Sequence, residues 1–169
     1  GMSPRTPLRL ITYNIRKGKG ASGRDSLSAA IGAALADEAA DVVLTQEVFH
    51  PSEDSRGPQQ SEHLGSLTGL APYYGANKHR RVGHHGNATL TRLPVDEVEN
   101  HDVSTNRLER RGVLYTRLRA NGGPLHVFNT HLGLNHRQRR RQICRIRKLI
   151  AERTRPEEPV LLAGDFNDW

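Results

Sequence analysis

Cysteine is almost missing from this chain: Cys144 stands alone among 169 residues. No internal disulfide can form, and zinc sites built from two or more cysteines are excluded. A chain without disulfides fits a reducing compartment, so the expected location is cytoplasmic. Aromatic residues make up only 5%, which points to an aliphatic core and leaves few rings for stacking on nucleic-acid bases. No run of about eighteen apolar residues occurs, so no transmembrane segment is expected. The N-terminus lacks the apolar stretch of a signal peptide, and Gly1 ahead of Met2 reads as the remnant of an expression tag.

What is present is positive charge. Twenty-five basic side chains face 18 acidic ones, a net of +7. That excess favours polyanionic partners, whether nucleic acid, phosphorylated small molecules or anionic lipid head groups, and it also serves solubility. The length suits one domain spanning residues 1–169, and 35% hydrophobic residues suffice for its core.

Leu8 to Ile15 reads as a buried strand ending in a Lys-Gly-Lys-Gly loop. Leu27, Ala30, Ile31, Ala34 and Leu35 then recur at helical spacing, and Asp41 to Val48 reads as a second strand. This βαβ pattern predicts neighbouring parallel strands. A short helix is expected over Glu62 to Thr68, and a basic surface loop over Pro72 to Gly86. Asn87 to Leu93 is a predicted strand. Arg111 to Leu118 and Leu125 to Leu132 are predicted to pair through a turn at Asn121-Gly122-Gly123. His136 to Arg153 reads as a helix with an apolar stripe of Ile143, Ile146, Leu149 and Ile150, and Val160 to Gly164 as a last strand. The fold class is therefore α/β (α+β), with sheets inside and helices outside.

Chemistry gathers at the ends of predicted strands. Asn14 closes the first, Gln46-Glu47 the second, His131 another, and Asp165 with Asn167 the last. Rigid strand ends are where such architectures build sites. Carboxylate and amide oxygens are hard donors suited to Mg2+ or Mn2+. A carboxylate can orient or deprotonate a water, and amide or imidazole N–H groups can bind transition-state charge. Taken singly each residue has a simpler use: Asp165 in a turn, Glu47 as a surface charge, Asn14 in a loop, His131 packed and neutral. Their shared position at strand ends weighs against those uses.

Asn14 in TYNIRKGKG, Gln46-Glu47 in QEV, Asn87 in GNATLTR, His131 in NTHLGL and Gly164-Asp165-Phe166-Asn167 together resemble the ordered motifs of the endonuclease/exonuclease/phosphatase superfamily. The resemblance spans nearly the whole chain. It implies a four-layered α/β/β/α sandwich of the DNase I-like type and metal-dependent hydrolysis of a phosphate ester. It implies Glu47 as the main ligand of Mg2+ or Mn2+ with Asn14 beside it, Asp165 activating water, Asn167 holding phosphate, and His131 bonded to a phosphoryl oxygen. Asn87 and Arg111 are weaker candidates for phosphate contacts. Two departures stand out. Arg16 occupies a position that is acidic in some relatives, and the family's closing Ser-Asp-His motif is missing from a chain that ends at Asp168-Trp169. The expectation is a C-terminally truncated, incomplete sandwich with impaired activity, whose uncovered sheet edge favours self-association, or else a natural protein that is longer.

Two other readings compete. A non-catalytic nucleic-acid-binding module would use the arginines of residues 137–153 and Arg80-Arg81. A zinc site would use His79, His84 and His85. The substrate classes compatible with the phosphoesterase reading include nucleic acid, phospholipid head groups and sugar phosphates, and nothing in the sequence chooses among them.

Overall fold

A computed structural model describes residues 7–14, 32, 39–51, 60–80, 83–104, 111–132 and 135–165. Its elements in chain order are β1 (Leu10–Asn14), β2 (Val42–Pro51), α1 (Gln60–Thr68), β3 (Ala71–Arg80), β4 (Gly83–Thr91), β5 (Val95–Asp102), β6 (Gly112–Ala120), β7 (Gly123–His131), α2 (His136–Arg153) and β8 (Val160–Asp165). The strands form two four-stranded sheets, ordered β1-β2-β4-β3 and β5-β6-β7-β8. β1 runs parallel to β2, as the βαβ pattern requires, and β7 runs parallel to β8 with α2 as the crossover. Of the expected first helix only Gly32 is described. It is helical and buried, and a Cβ there would lie 2.6 Å from Leu67 Cδ1.

Alternation along the strands sorts the core into three layers. On β2, Val43 packs with Leu64 of α1 and with Ala88 and Leu90 of β4, on the outer side of the first sheet. Val42 and Leu44 face the other way and meet Leu118 and Val127 of the second sheet, with Leu161 and Ala163 of β8 beside them. On the outer side of the second sheet, Val113, Tyr115 and Phe128 pack under Ile146 and Leu149 of α2. The molecule is thus helix, sheet, sheet, helix: the four-layered α/β sandwich of the DNase I-like type. Tyr115 and Phe128 are the largest fully buried side chains in a core that is otherwise chiefly aliphatic, and each full burial of this kind contributes roughly 1.5–3 kcal/mol.

The β6–β7 hairpin turns at Asn121 and Gly122, both at positive φ (53° and 80°), the geometry a two-residue primed turn demands of Asn-Gly. α2 is capped at its start by Asn135, whose side chain accepts a hydrogen bond from the Arg137 N–H at 2.8 Å, and at its end by Thr154, ahead of Pro156. No helix among the described residues is long and apolar enough to cross a membrane.

Three expectations need correction. Pro72 to Gly86 is not a surface loop but most of β3 and the start of β4. β3 is a sheet edge, so strand pairing organises a stretch whose polar composition reads as loop. β5 is a strand where none is expected. It lies at the other sheet's edge, its residues alternating between half-buried and exposed. In α2 the buried stripe is Gln142, Ile146 and Leu149, while Ile143 is exposed, because at 100° per residue it lies about 90° from the stripe's centre.

Candidate active site

The parallel registers align the strand ends. Asn14 on β1 is the partner of Gln46 on β2, and His131 on β7 is the partner of Asp165 on β8. A hydrogen bond between the sheets joins the two pairs: Gln46 Nε2 donates to Asn129 Oδ1 at 2.9 Å. Val42 and Leu44 lie against Val127 lower down, so β2 and β7 run the same way. Asn14, His131 and Asp165 therefore finish their strands at one level of the sandwich, while Glu47 stands at the same level in mid-strand, because β2 runs on to Pro51 instead of ending near Val48 as expected. The side chains of Asn14, Glu47 and Asp165 lie outside the described residues, as do Asn167 and Arg16 entirely. His131 is described: it is 6% exposed and shares with Val127 and Asn129 the strand face that looks toward the first sheet.

Local backbone features set these ends. Thr45 pairs with Ala88 and Val48 with Gly86, so Gln46 and Glu47 together stand opposite the single residue Asn87. Such a β-bulge breaks the strand's alternation and re-aims what it carries, a device common beside active sites. On β8, Gly164 has φ +145°, and a Cβ there would fall 1.8 Å from the Thr130 carbonyl oxygen. Only glycine lets β8 approach β7 so closely immediately before Asp165. The glycine of the Gly-Asp-Phe-Asn segment is thus explained by strand contact, not by a turn.

Beneath the strand ends lies an interlock of neutral amides. Asn129 Nδ2 donates to the Thr45 carbonyl at 3.2 Å and to the Ala88 carbonyl at 3.0 Å, while its Oδ1 receives Gln46. Asn87 Nδ2 crosses in the opposite sense, to the carbonyls of Gly112 (3.1 Å) and Asn129 (3.3 Å). Asn87, Asn129 and Gln46 are all essentially fully buried. The expected phosphate contact of Asn87 gives way here, because both protons of its amide nitrogen already serve scaffold carbonyls. Asn129 is the residue that the sequence reading undervalues. Its signal is an amide directly after Val127 and Phe128 within a predicted core strand, where a buried polar group needs a partner.

Arg111 is half-buried just before β6, at the same end, and its N–H donates to Ser104 Oγ at 2.8 Å. The side chains of the zinc reading, His79, His84 and His85, lie outside the described residues, and only their backbone pairing is described. His79 stands opposite His84 across β3 and β4, but His85 stands opposite Lys78. Among the described residues no three His, Cys, Asp or Glu side chains are grouped to hold a metal. For the strand-end site the donor chemistry does fit a hard divalent cation. The two carboxylate-bearing positions, Glu47 and Asp165, and the amide-bearing Asn14 come to one end, and the interlock below them adds no competing charge.

Comparison with known proteins agrees with this architecture. Residues 11–169 match the Endonuclease/Exonuclease/phosphatase family, and the chain belongs to it. The uncharacterized protein YbhP of Escherichia coli K12 is 39% identical over 171 residues, covering 95% of this chain and 67% of its own length. Among solved structures, an endonuclease/exonuclease/phosphatase from Beutenbergia cavernae superposes with a TM-score of 0.76 at 22% identity, over 96% of this chain and 48% of that one. A family protein from Leptotrichia buccalis gives 0.77 at 16% identity, over 95% of this chain and 67% of that one. The chain thus spans about half the length of the Beutenbergia protein and two thirds of YbhP.

Proposed function

We propose that the protein is a phosphoric ester hydrolase that depends on Mg2+ or Mn2+, cleaving a phosphodiester or phosphomonoester by in-line attack of water. Family membership supports phosphoester chemistry in general. The observation that carries the reading to this site is that three strand ends, at Asn14, His131 and Asp165, share one level with the bulge of β2 at Glu47, through the Asn14–Gln46 and His131–Asp165 registers and the Gln46–Asn129 bond. Glu47 and Asn14 would hold the cation, which when bound would supply Lewis-acid stabilisation of the charge on the phosphoryl and leaving oxygens. Asp165 orients the attacking water and accepts its proton, Asn167 holds the phosphate, and His131 donates to a phosphoryl oxygen. Arg111, at the same end, contributes positive charge toward the phosphate.

The test is hydrolysis of bis-p-nitrophenyl phosphate with Mg2+, with Mn2+ and with chelator. Glu47→Ala and Asp165→Ala are expected to lower kcat by at least about a hundredfold, the range that loss of a positioned acid–base or electrostatic group produces. Metal-stimulated hydrolysis that survives both substitutions undiminished sinks the assignment.

A further inference from the structure

Helix α2 carries seven arginines and one lysine against a single acid, Glu152. Some of these cations have partners in the fold: Arg145 Nη1 donates to the Ser104 carbonyl at 2.5 Å, and Arg153 Nε to Glu99 at 3.0 Å. Five others, Arg137, Arg140, Arg141, Arg147 and Lys148, are exposed and make no ion pair among the described residues. At 100° per residue these five fall within an arc of about 120°, centred opposite the buried Ile146 and Leu149, and they span about 16 Å of helix. Like charges repeat at i, i+3 and i, i+4, as in Arg137–Arg140 and Arg137–Arg141, a pattern that weakens an isolated helix. The helix forms because its other face packs on Tyr115 and Phe128, so the cation row is held rigid by the core.

The chemistry of the row selects its occupant. Four of the five are arginines, whose planar forks match phosphate oxygens in pairs. Charge alone gives only weak, reversible attachment to a lipid surface, stable anchoring needs an apolar face or lipid chain as well, and α2 keeps Ile146 and Leu149 buried in the core. Between the cations on the exposed arc stand only Cys144 and Ala151. The row also has a direction. α2 starts at His136, five positions beyond His131, so the cations begin at the strand-end site and run away along the outside of the second sheet.

We propose that this exposed arc of α2 docks the sugar–phosphate backbone of a polynucleotide and leads it to the strand ends. The docking stands on the charge geometry alone, and the delivery rests on the phosphoesterase reading above. The experiment is fluorescence anisotropy with labelled single-stranded and duplex oligonucleotides, in chelator so that no hydrolysis occurs, across a salt series. The triple variant Arg140→Gln/Arg141→Gln/Arg147→Gln is expected to flatten the slope of log affinity against log salt by about 2 to 3, at roughly 0.7–0.9 per phosphate contact. A control with equal charge loss, Arg117→Gln/Arg119→Gln/Arg155→Gln on the opposite end of the sandwich, should keep the wild-type slope. The corresponding Arg→Lys triple on α2, which keeps the charge, should also keep it. Equal flattening in both Gln triples, or no oligonucleotide binding by the wild type, overturns the proposal. So does α2-dependent binding to phosphatidylserine vesicles with none to oligonucleotides. Intact α2-dependent docking together with metal-stimulated hydrolysis undiminished in Glu47→Ala and Asp165→Ala overturns the phosphoesterase reading and leaves the docking surface standing.

Discussion

Where β2 and β7 begin, charge meets charge; at the level where β1, β7 and β8 finish, neutral amides meet one another. At the first end Asp41 accepts the Arg9 N–H at 2.8 Å and pairs with Arg92. Arg119 pairs with Asp96 at 2.8 Å, and His126 Nε2 bonds Glu158 Oε1 at 3.1 Å. A cavity of about 860 Å3 there is lined by both signs, with Arg117, Arg119 and Arg155 beside Asp96, Glu152 and Glu158. The acids are held below the usual carboxylate range: Asp41 chiefly by the Arg9 N–H, Asp96 by the Arg119 guanidinium, and Glu158 by the Arg155 N–H. At the second end the cross-sheet ties are Gln46, Asn87 and Asn129, none of which carries charge. Acids already satisfied by basic partners are poor ligands for an incoming cation. An end tied together by amides keeps its shape while leaving the electrostatics to Glu47, Asp165 and the phosphate they would receive.

The site end is therefore the place where loss of packing or hydrogen bonding should cost most. Gly164→Ala has the largest expected effect. The added Cβ would sit 1.8 Å from a backbone oxygen that has no rotamer to escape into, so the β7–β8 register itself must open. A loss of about 3 kcal/mol or more is expected in urea denaturation, at the upper end of overpacking. An unchanged midpoint would show that β8 does not lie as close to Thr130 as the register requires. Asn129→Leu comes next. It keeps approximate volume but removes the bonds to the Gln46 amide and to the carbonyls of Thr45 and Ala88, leaving Ala88 with Thr45 Oγ1 at 2.9 Å and Gln46 with a long bond to Thr12 at 3.4 Å. With about 1–3 kcal/mol for a buried group that loses its main partner, a net loss of about 2–3 kcal/mol is expected. A loss below about 1 kcal/mol would mean that the amides tie nothing together, and the contrast between the two ends would lose its basis.

How far the sequence reveals this arrangement depends on whether the cause is local. The hairpin at Asn121-Gly122 is legible because positive φ at both turn positions selects those residue types directly. The α2 boundaries are legible because helical periodicity runs over 18 residues between a loop and a proline pair. The parallel β1–β2 pair follows from strand, helix and strand in succession. β3 and β5 escape because edge strands are polar on the side that meets solvent, and their strand state comes from pairing with β4 and β6. The site is legible in part for the same reason. Asn14, Glu47, His131 and Asp165 can each be read as ending a strand, but their common end depends on register and on the Gln46–Asn129 bond, which join residues 83 apart. The bulge that sets Gln46 and Glu47 against Asn87 is a property of two strands together and has no signature in either one.

The smallest expected effect lies at the charged end and carries its own pH signature. Asp41 is nearly buried, yet its carboxylate is satisfied by a backbone N–H and a guanidinium. Its folded pKa lies below the ordinary value of 3.8, with the Arg9 N–H as the leading cause. A depressed carboxylate pKa stabilises the fold fully above the unfolded pKa and loses that contribution as pH falls through the folded pKa. Asp41→Asn keeps the shape and one acceptor oxygen but removes the charge. At neutral pH it should cost about 1–2 kcal/mol, the scale of hydrogen bonds to a charged group less the neutral bond that remains. As pH falls from the unfolded value of 3.8 through the lower folded pKa, the wild type loses this contribution, so the two stability curves should draw together. Parallel curves down to acid unfolding would remove Asp41 from the balance of the charged end, and the strength of that end would have to lie in Arg119–Asp96 and His126–Glu158 instead.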